Sequence, residues 1–457
     1  MELEKTTIVG EINAILEEPL REHIDFNWYA EFKIGDKTYP AIKVVSLDIL
    51  RDYASAFGDQ IYLDCMVGAG TFSHLIFPFK EDIEVVVYRR HVRPEDKRFK
   101  PVEENIVSTT YRAIITDPGS KVVESNGKLG ATPETGDLLD ILTVRMQLLD
   151  PTIEQIRMQS VGLIIRDKTT PDALKYLFTE VSKTVESDEE NRVQGVSFYQ
   201  KGLNEEVQKH IVIPHGTPFF EVPDFVNRRS SGIYNAGLGF YLQKKNWFIY
   251  PLYNLKRFDE DRRTLTLVKV PDRRLPGTER TYRKTDNQVI ALITGAVKHI
   301  DDSENQQSNR GNGVRFGDAR KMMDGFVEVG GNRARALRAL NNNEYIANER
   351  KTGLNNARIS DIRITCNNFF ELSRLARRQG AFIQCLWQNS DIDAIFPGMA
   401  VKYVYAENSE VKEVLGVVHQ AHHYISAMDS TINSSRCQTN TALLLFVERL
   451  VPADAEE

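Results

Sequence analysis

Apolar and β-branched runs recur along the first third of the chain, in part with polar residues at alternate positions, and turn residues separate the runs. Strands are predicted over residues 24–34, 39–45, 61–67, 83–88, 111–116 and 141–148. Alternation with a period of two, bounded by turn residues, is typical of strands with one buried face. Residues 1–166 therefore predict a β-barrel that carries long loops, such as 117–135.

The pattern changes to a helical period near Pro171. Thr170 is a candidate N-cap, Pro171 suits the first helical position, and Asp172 suits the positive end of the helix dipole. Apolar side chains then recur at helical spacing from Ala173 to Val185. The helix either packs on its own domain or binds a partner.

Residues 193–285 mix strand and turn patterns. Strands are predicted at 211–214 and 264–270, and a short helix at 225–229. Residues 230–253 are dense in aromatic side chains and interrupted by glycines. Together with the preceding helix, this region predicts an inserted α+β domain over 167–285.

The last third begins with a strand at 289–299 and then loses apolar density. Residues 301–353 are rich in Asn, Arg and Gly, and predict a long loop with a weak helix near 334–340. Further elements are predicted downstream: strands at 362–365 and 382–387, and a helix at 369–378 that ends at Gly380.

The C-terminal end carries the clearest series of strands. The turn dipeptide Pro397-Gly398 opens it. Strand-like runs follow at 401–406, 417–418, 422–427 and 439–447. Repeated strands with turns between them predict an antiparallel barrel or sandwich, and residues 286–457 are assigned to this domain.

Composition agrees with a globular protein of several domains. The chain has 457 residues, of which 41% are hydrophobic and 27% are charged. This length predicts two to four domains. The formal net charge of -6 argues against a dedicated nucleic-acid binder, because the domains of such proteins tend to be basic.

The cysteines and the N-terminus indicate folding in a reducing compartment. Cys65, Cys366, Cys385 and Cys437 form no C-x-x-C pair, which favours buried thiols over a disulfide or a zinc site. The sequence shows no signal peptide and no apolar run long enough for a membrane helix. Synthesis in a host cytoplasm is the expectation.

Two groups of residues invite a catalytic or metal-binding interpretation. His419, His422 and His423 lie in a strand-like run, where His422 would point away from the others, and no fourth ligand is near. Asp391 and Asp393 precede the Pro-Gly turn and are predicted to be turn residues. We predict no metal site and no catalytic acid pair.

The stretch from Arg310 to Lys351 is locally basic, with nine Lys/Arg and five Asp/Glu. It either contacts phosphate or is a solvated or protein-docking loop, and the second interpretation is the simpler one. Residues 311–317 (GNGVRFG) lack the Lys-Ser/Thr end of a phosphate-binding loop. No known catalytic motif appears, so neither an enzyme nor a cofactor is predicted.

One dense band of aromatic residues is a candidate interface. Its members are Tyr234, Phe240, Tyr241, Trp247, Phe248, Tyr250 and Tyr253. Large aromatic side chains dominate cores and subunit interfaces alike, so the band is assigned to either or to both.

Three sets of segments together resemble one family. The first is 83–88 (IEVVVY) followed by 151–156 (PTIEQI) and 163–170 (LIIRDKTT); the second is 231–234 (SGIY) with 247–251 (WFIYP); the third is 396–399 (FPGM) with 416–418 (GVV). They are similar to the central baseplate hub proteins of contractile-tailed phages. Relatives of these hubs are the late control protein D of temperate phages and the N-terminal part of type VI secretion spikes. Residues 301–353 have no counterpart in this resemblance.

The resemblance implies a mainly β fold with α+β insertions and two tandem tail-tube-like antiparallel β-barrels. It also implies a homotrimer in which six barrels join a sixfold tail tube to a threefold spike. The implied partners are the central spike, the tail tube or tube initiator, baseplate wedge proteins and the tape-measure protein. DNA would only pass through the channel, no membrane would be contacted, and the protein would reside in the virion tail baseplate.

Two rival hypotheses remain. The chain is a tail-associated cell-wall hydrolase if an acid pair or metal site lies in a cleft. It is a tail-tube or neck protein if it forms a hexameric or dodecameric ring.

Overall fold

The computed structural model describes residues 25–92, 106–117, 141–184, 191–229, 232–271, 281–299, 380–407, 410–429 and 435–448. It also describes four short strands between 314 and 348 and a few single residues at 10–15 and 373–377.

The first part of the described chain is built of strands. Their bounds are β1 Asp25–Ile34, β2 Lys37–Pro40, β3 Lys43–Asp52, β4 Gln60–Gly68, β5 Glu84–Val92, β6 Ile106–Asp117 and β7 Ile141–Leu149. Buried and half-buried positions alternate along the whole of β4, as its sequence pattern predicts. A short helical segment at residues 69–79 joins β4 to β5.

The single strand predicted at 39–45 is two strands. β2 ends at Pro40, and the chain then changes partners: the Ala41 amide donates to the Ala30 carbonyl, and the Ile42 amide donates to the Met66 carbonyl. Proline has no amide hydrogen for a ladder, so the run breaks where it passes from β1 to β4.

The central part contains the helices and two small sheets. Its elements are α1 Pro151–Met158, β8 Ser160–Thr169, α2 Thr170–Thr179, β9 Gly195–Phe198, β10 Val207–Pro218, α3 Val222–Arg229, β11 Leu238–Gln243 and β12 Asn246–Pro251. β8 pairs with β10, while β11, β12 and β9 form a second sheet. We call residues 151–251 the inserted module.

Two helix details differ from the sequence prediction. α2 begins one residue earlier than expected, because Thr169 is its N-cap and accepts from the Asp172 amide. α1 was not predicted at all. Asp150 caps it by accepting from the amides of Thr152 and Ile153 at 2.8 and 3.2 Å.

The last part returns to strands. Their bounds are β13 Thr264–Lys269, β14 Tyr282–Lys284, β15 Gln288–His299, β16 Val314–Gly317, β17 Phe326–Val329, β18 Asn332–Arg335, β19 Tyr345–Asn348, β20 Gly380–Trp387, β21 Ala400–Glu407, β22 Glu410–Ala427 and β23 Arg436–Glu448. The runs predicted at 417–418 and 422–427 are one strand, β22.

The prediction of a long loop over 301–353 is wrong where the structure describes this region. β16 pairs with β19, and β17 pairs with β18. The helix predicted at 334–340 is contradicted at Ala334 and Arg335, which belong to β18. The rest of that helix and the strand predicted at 362–365 lie outside the described residues. The helix predicted at 369–378 does too, except at the helical positions 373, 376 and 377.

The pairings in the large sheet return on themselves twice. β22, β3, β4, β7, β6, β5, β1 and β23 pair in succession, and β23 pairs back with β22. β22, β21, β13, β15, β20 and β23 make a second circuit through the same two strands. A register irregularity between Val418 and Gln420 marks the place where β22 leaves β21 and joins β3.

The fold is mainly β, as predicted, with short helices. The prediction of purely antiparallel pairing is wrong for β13, which pairs in parallel with both β15 and β21. Its residues are buried at five of six positions, a property of strands with both faces covered. The tandem-barrel arrangement and the three domain boundaries stay predictions.

Three large apolar clusters lie under these elements. One fills the first circuit around Phe32 and Leu63, one fills the second around Trp387 and Val401, and one fills the inserted module around Trp247. Cys65, Cys385 and Cys437 are free thiols inside the first two clusters, and Cys366 lies outside the described residues. None of the helices in the described part has the length and apolar character that crossing a bilayer requires.

Candidate functional site: the junction of the inserted module with the large sheet

The aromatic band lies on β11, β12 and the loops beside them. Four members are at most 1% exposed and three are half-buried: Tyr234, Tyr241, Trp247 and Tyr250 in the first group, and Phe240, Phe248 and Tyr253 in the second. The buried members pack within this chain. The assignment of the band to a subunit interface stays a prediction.

Two tyrosines of the band join the inserted module to the large sheet. The Tyr241 hydroxyl donates to the Asp59 carboxylate at 2.8 Å, and the Tyr250 hydroxyl donates to the Tyr53 carbonyl at 2.7 Å. Burial raises the pKa of both hydroxyls well above the ordinary value. Both therefore stay protonated and act as donors.

The backbone of two glycines lies directly against the ring of Tyr250. A Cβ atom at Gly239 or at Gly398 would overlap this ring. Gly398 also has a φ of +62°, which L side chains rarely adopt. The predicted Pro397-Gly398 turn is confirmed. Its glycine is needed both for the backbone conformation of the turn and for the close packing of the Tyr250 ring.

Arg51 is the centre of a buried polar cluster at the junction. It extends from β3, and its guanidinium donates to Asp59 at 3.1 Å and to the Ile392 carbonyl at 2.6 Å. Its Nη1 lies 3.2 Å from Nε2 of His423. Burial alone would lower the pKa of Arg51, but the Asp59 carboxylate, together with Tyr53 and Tyr241, outweighs it, so the net shift is upward and the side chain stays charged.

A chain of hydrogen bonds continues from Arg51 into β23. His423 Nδ1 lies 2.7 Å from the Thr441 hydroxyl, which is 2.6 Å from the Ser390 hydroxyl. Burial and the nearby Arg51 charge lower the pKa of His423 well below its usual range. The imidazole is thus neutral, with Nε2 accepting from Arg51 and Nδ1 donating to Thr441.

The Asp391 and Asp393 carboxylates serve in separate ion pairs. Arg89 of β5 and Lys244 of the β11–β12 turn both donate to Asp393. Asp391 accepts from Lys284 at 3.0 Å. Burial would raise the pKa of Asp393, but the two cations outweigh it and hold the pKa below the ordinary value. These carboxylates join elements of the fold, and both lie in the turn region that the sequence predicts.

His419 occupies the point where β22 passes from one circuit to the other. Its Nε2 lies 2.9 Å from the Leu252 carbonyl, and its own carbonyl accepts from the Tyr53 amide at 2.9 Å. The Tyr253, Phe382 and Phe446 rings pack around it. His422 is half-buried and stacks near Tyr424, so the three histidines do not converge. The described residues hold no group of three or more side chains that could bind a metal.

We expect His419 to make the fold sensitive to mild acid. Burial lowers the pKa of His419 from 6.5 to about 4. Between these pH values the unfolded chain binds the proton and the folded chain does not, so stability falls as pH is lowered from 6.5 towards 4. His419→Gln should flatten this part of the pH dependence, measured as the urea midpoint between pH 7 and pH 5.

His210→Gln, which removes an exposed histidine, is the control substitution against which the His419→Gln slope is compared. His423 is also buried, so the slope of the His419 variant should be reduced and not abolished. Equal slopes for the wild-type and His419→Gln chains would contradict this assignment.

A second buried ion pair was not anticipated from the sequence. Arg257 and Asp261 lie 3.3 Å apart with side chains 1% and 3% exposed, and Arg257 also donates to the Gly398 carbonyl. Burial, opposed by Arg257, raises the pKa of Asp261 to about 6. The hydrogen bond from Arg257 to the Gly398 carbonyl holds the backbone of the Gly398 turn, and the ion pair thus adds another contact across the junction.

The charged residues of the junction make structural contacts between elements of the fold. Arg51, Asp59, Arg89, Lys244 and Asp393 all line a cavity of about 480 Å³. Each of these charges already has an opposite partner within 3.1 Å. The contacts join β3, β5 and β22 to the β11–β12 turn and to the loop before β21, so they fix the inserted module against both circuits.

No protein-family model and no curated protein sequence matches this chain. Solved structures similar to it include the tail protein from Neisseria meningitidis MC58, at 13% identity and a TM-score of 0.43 over 92% of this chain and 96% of that one. The prophage MuSo2 43 kDa tail protein from Shewanella oneidensis is 10% identical, with a TM-score of 0.46 over 91% and 96%. An E. coli component of the type VI secretion system is 8% identical, with a TM-score of 0.39 over 92% and 77%. These similar structures are phage-tail and type VI secretion proteins.

Proposed function

We propose that this chain is a non-enzymatic structural protein, the hub of a contractile phage-tail baseplate or of a related injection machine. The observation that carries the proposal is the pairing pattern of the large sheet, in which β22 and β23 belong to two closed circuits. We interpret these circuits as two barrels side by side in one chain. Closure suits a load-bearing ring, because it leaves few exposed strand edges.

Symmetry then explains the use of two barrels. Three copies would present six barrels, which match a sixfold tail tube on one side and a threefold spike on the other. A ring of this kind closes through a heterologous contact repeated around the axis. The polar cluster around Arg51 supports this role, since a symmetry adaptor needs a fixed angle between its barrels and the module beside them.

The sequence resemblance supplies the proposed partners and place. They are a central spike protein, the tail tube or its initiator, the wedge proteins and the tape-measure protein, all in the virion tail baseplate. DNA would pass through the channel without a lasting contact, in keeping with the net charge of -6. No cofactor is required by this role.

The proposal is tested by the solution mass of the purified chain, measured by light scattering alone and after mixing with a candidate spike protein from the same genome. A trimer in either sample is the expected result. A hexamer would favour a tail-tube or neck protein. A monomer in both samples would contradict the hub, and an assay of cell-wall hydrolysis would then test the enzymatic rival.

A further inference from the structure

β8 and β10 form an isolated two-stranded ribbon in the inserted module. Ile165, Ile211 and Ile213 face inward and belong to the core of the module. Within the described residues, neither strand pairs with any third strand. One face of the ribbon is therefore packed, while the other face and both outer edges have no partner in the described part of this chain.

The outer face combines exposed apolar side chains with positive charge. Ile164 and Val212 are direct cross-strand neighbours and are 57% and 53% exposed. Arg166 and His210 form the next pair on the same face, and Lys168 follows. Within the fully described β8 and β10, the single carboxylate is Asp167, next to two cations.

The two edges of the ribbon differ in how they are protected. β10 contains Pro214 and a register irregularity between Ile213 and Thr217, features that blunt an edge against pairing. β8 has no proline from Ser160 to Thr169. At Asp167, however, φ is +52°, which interrupts the extended conformation. The outer edge of β8 thus offers a continuous extended backbone to an added strand over residues 160–166.

We propose that the ribbon docks an extended acidic and apolar segment of another protein, which adds as a third strand to the outer edge of β8. Backbone hydrogen bonds would give the segment its register, and its alternate side chains would meet the outer face. Apolar residues would cover Ile164 and Val212, and carboxylates would pair with Arg166 and Lys168. The inference goes beyond the proposed hub function and does not require a trimer.

The first test uses a fluorescein-labelled decapeptide of alternating valine and glutamate with the full chain, followed by fluorescence anisotropy. We expect binding that weakens as salt is raised, and no binding of the matching valine–lysine peptide. Amide exchange of β8 should slow in the complex, while that of β10 stays unchanged. Equal binding of both peptides, or binding without protection of β8, would overturn the proposal.

Substitutions on the outer face localise the effect. Ile164→Glu and Arg166→Glu should each weaken binding of the glutamate peptide about tenfold or more. Ile114→Glu is the matched control, because Ile114 is a strand residue of similar exposure, 47%, on β6. Thermal melts should show that all three variants stay folded, since each site is exposed.

A second copy of the chain is the competing occupant. If it covered the ribbon, the mass of the chain alone would rise with concentration, and Ile164→Glu would prevent this. That result would overturn the proposal of a different partner. The proposal of a different partner would be supported if Ile164→Glu left the mass of the chain unchanged and abolished peptide binding. This result would not depend on whether the chain forms the trimer expected of a hub.

Discussion

Replacing Arg51 with methionine is expected to lower the free energy of unfolding by about 3–5 kcal/mol. Methionine fills much of the space but leaves the Asp59 carboxylate, 15% exposed, without its cation. It also removes the donors to the Ile392 carbonyl and to His423. An unpaired charge and unsatisfied polar groups in a buried site together account for a loss of this size.

Urea titration measures this loss as a shift of the unfolding midpoint. Arg145→Met is the matched control: Arg145 is also a paired strand arginine, with Asp48 and Asp64 as its partners, but it is 47% exposed and both distances are 3.8 Å. We expect the control to lose no more than about 1 kcal/mol. The double change Arg51→Met with Asp59→Asn should recover part of the loss, because it removes the orphaned charge. A loss at Arg51 no larger than at Arg145 would mean that the cluster does not hold the junction.

The strands were predictable because their signal is local. In β4 the buried positions are Ile61, Leu63, Cys65 and Val67, so apolar residues recur with the period of two that its burial shows. α1 was missed because only two apolar residues, Ile153 and Ile156, lie on its buried side. The Asp150-Pro151 pair, an N-cap followed by a first-turn proline, was the signal available for it.

The junction was not predictable from local pattern, because its partners are far apart in the chain. Arg51 meets Ile392 and His423 across separations of 341 and 372 residues. One clue exists in β3, where Arg51 continues the inward-facing series of Leu47 and Ile49. An arginine at a core position predicts a buried acceptor, although the sequence does not say which one.

The histidines show the same limit. Strand parity predicted that His422 points away from both neighbours, which is right for His423 and wrong for His419. The register irregularity of β22 puts His419 against Phe446, on the face of the sheet that also carries His422. The position of His419 depends on this irregularity and on two pairing partners more than 300 residues apart, β3 and β21. The fold class thus follows from periodicity, whereas the site follows from topology.

Gly398→Ala is expected to cost about 2–5 kcal/mol, the sum of about 1–2 for a left-handed backbone and about 1–3 for overpacking. The added methyl group would overlap the ring of Tyr250, which cannot move freely because its hydroxyl holds the Tyr53 carbonyl. Arg257 also donates to the Gly398 carbonyl, so the backbone is held from a second side.

Gly35→Ala separates the two contributions, because Gly35 has a similar φ of +57° but no atom within 4 Å of an added Cβ. It should show only the backbone cost, and its urea midpoint should fall less than that of Gly398→Ala. Combining Gly398→Ala with Tyr250→Leu should relieve the overlap, so that the second substitution costs less in the variant than in the wild-type chain. If Gly35→Ala and Gly398→Ala were equally destabilising, the ring of Tyr250 would be free to yield, and the aromatic band would not fix the inserted module against the turn before β21.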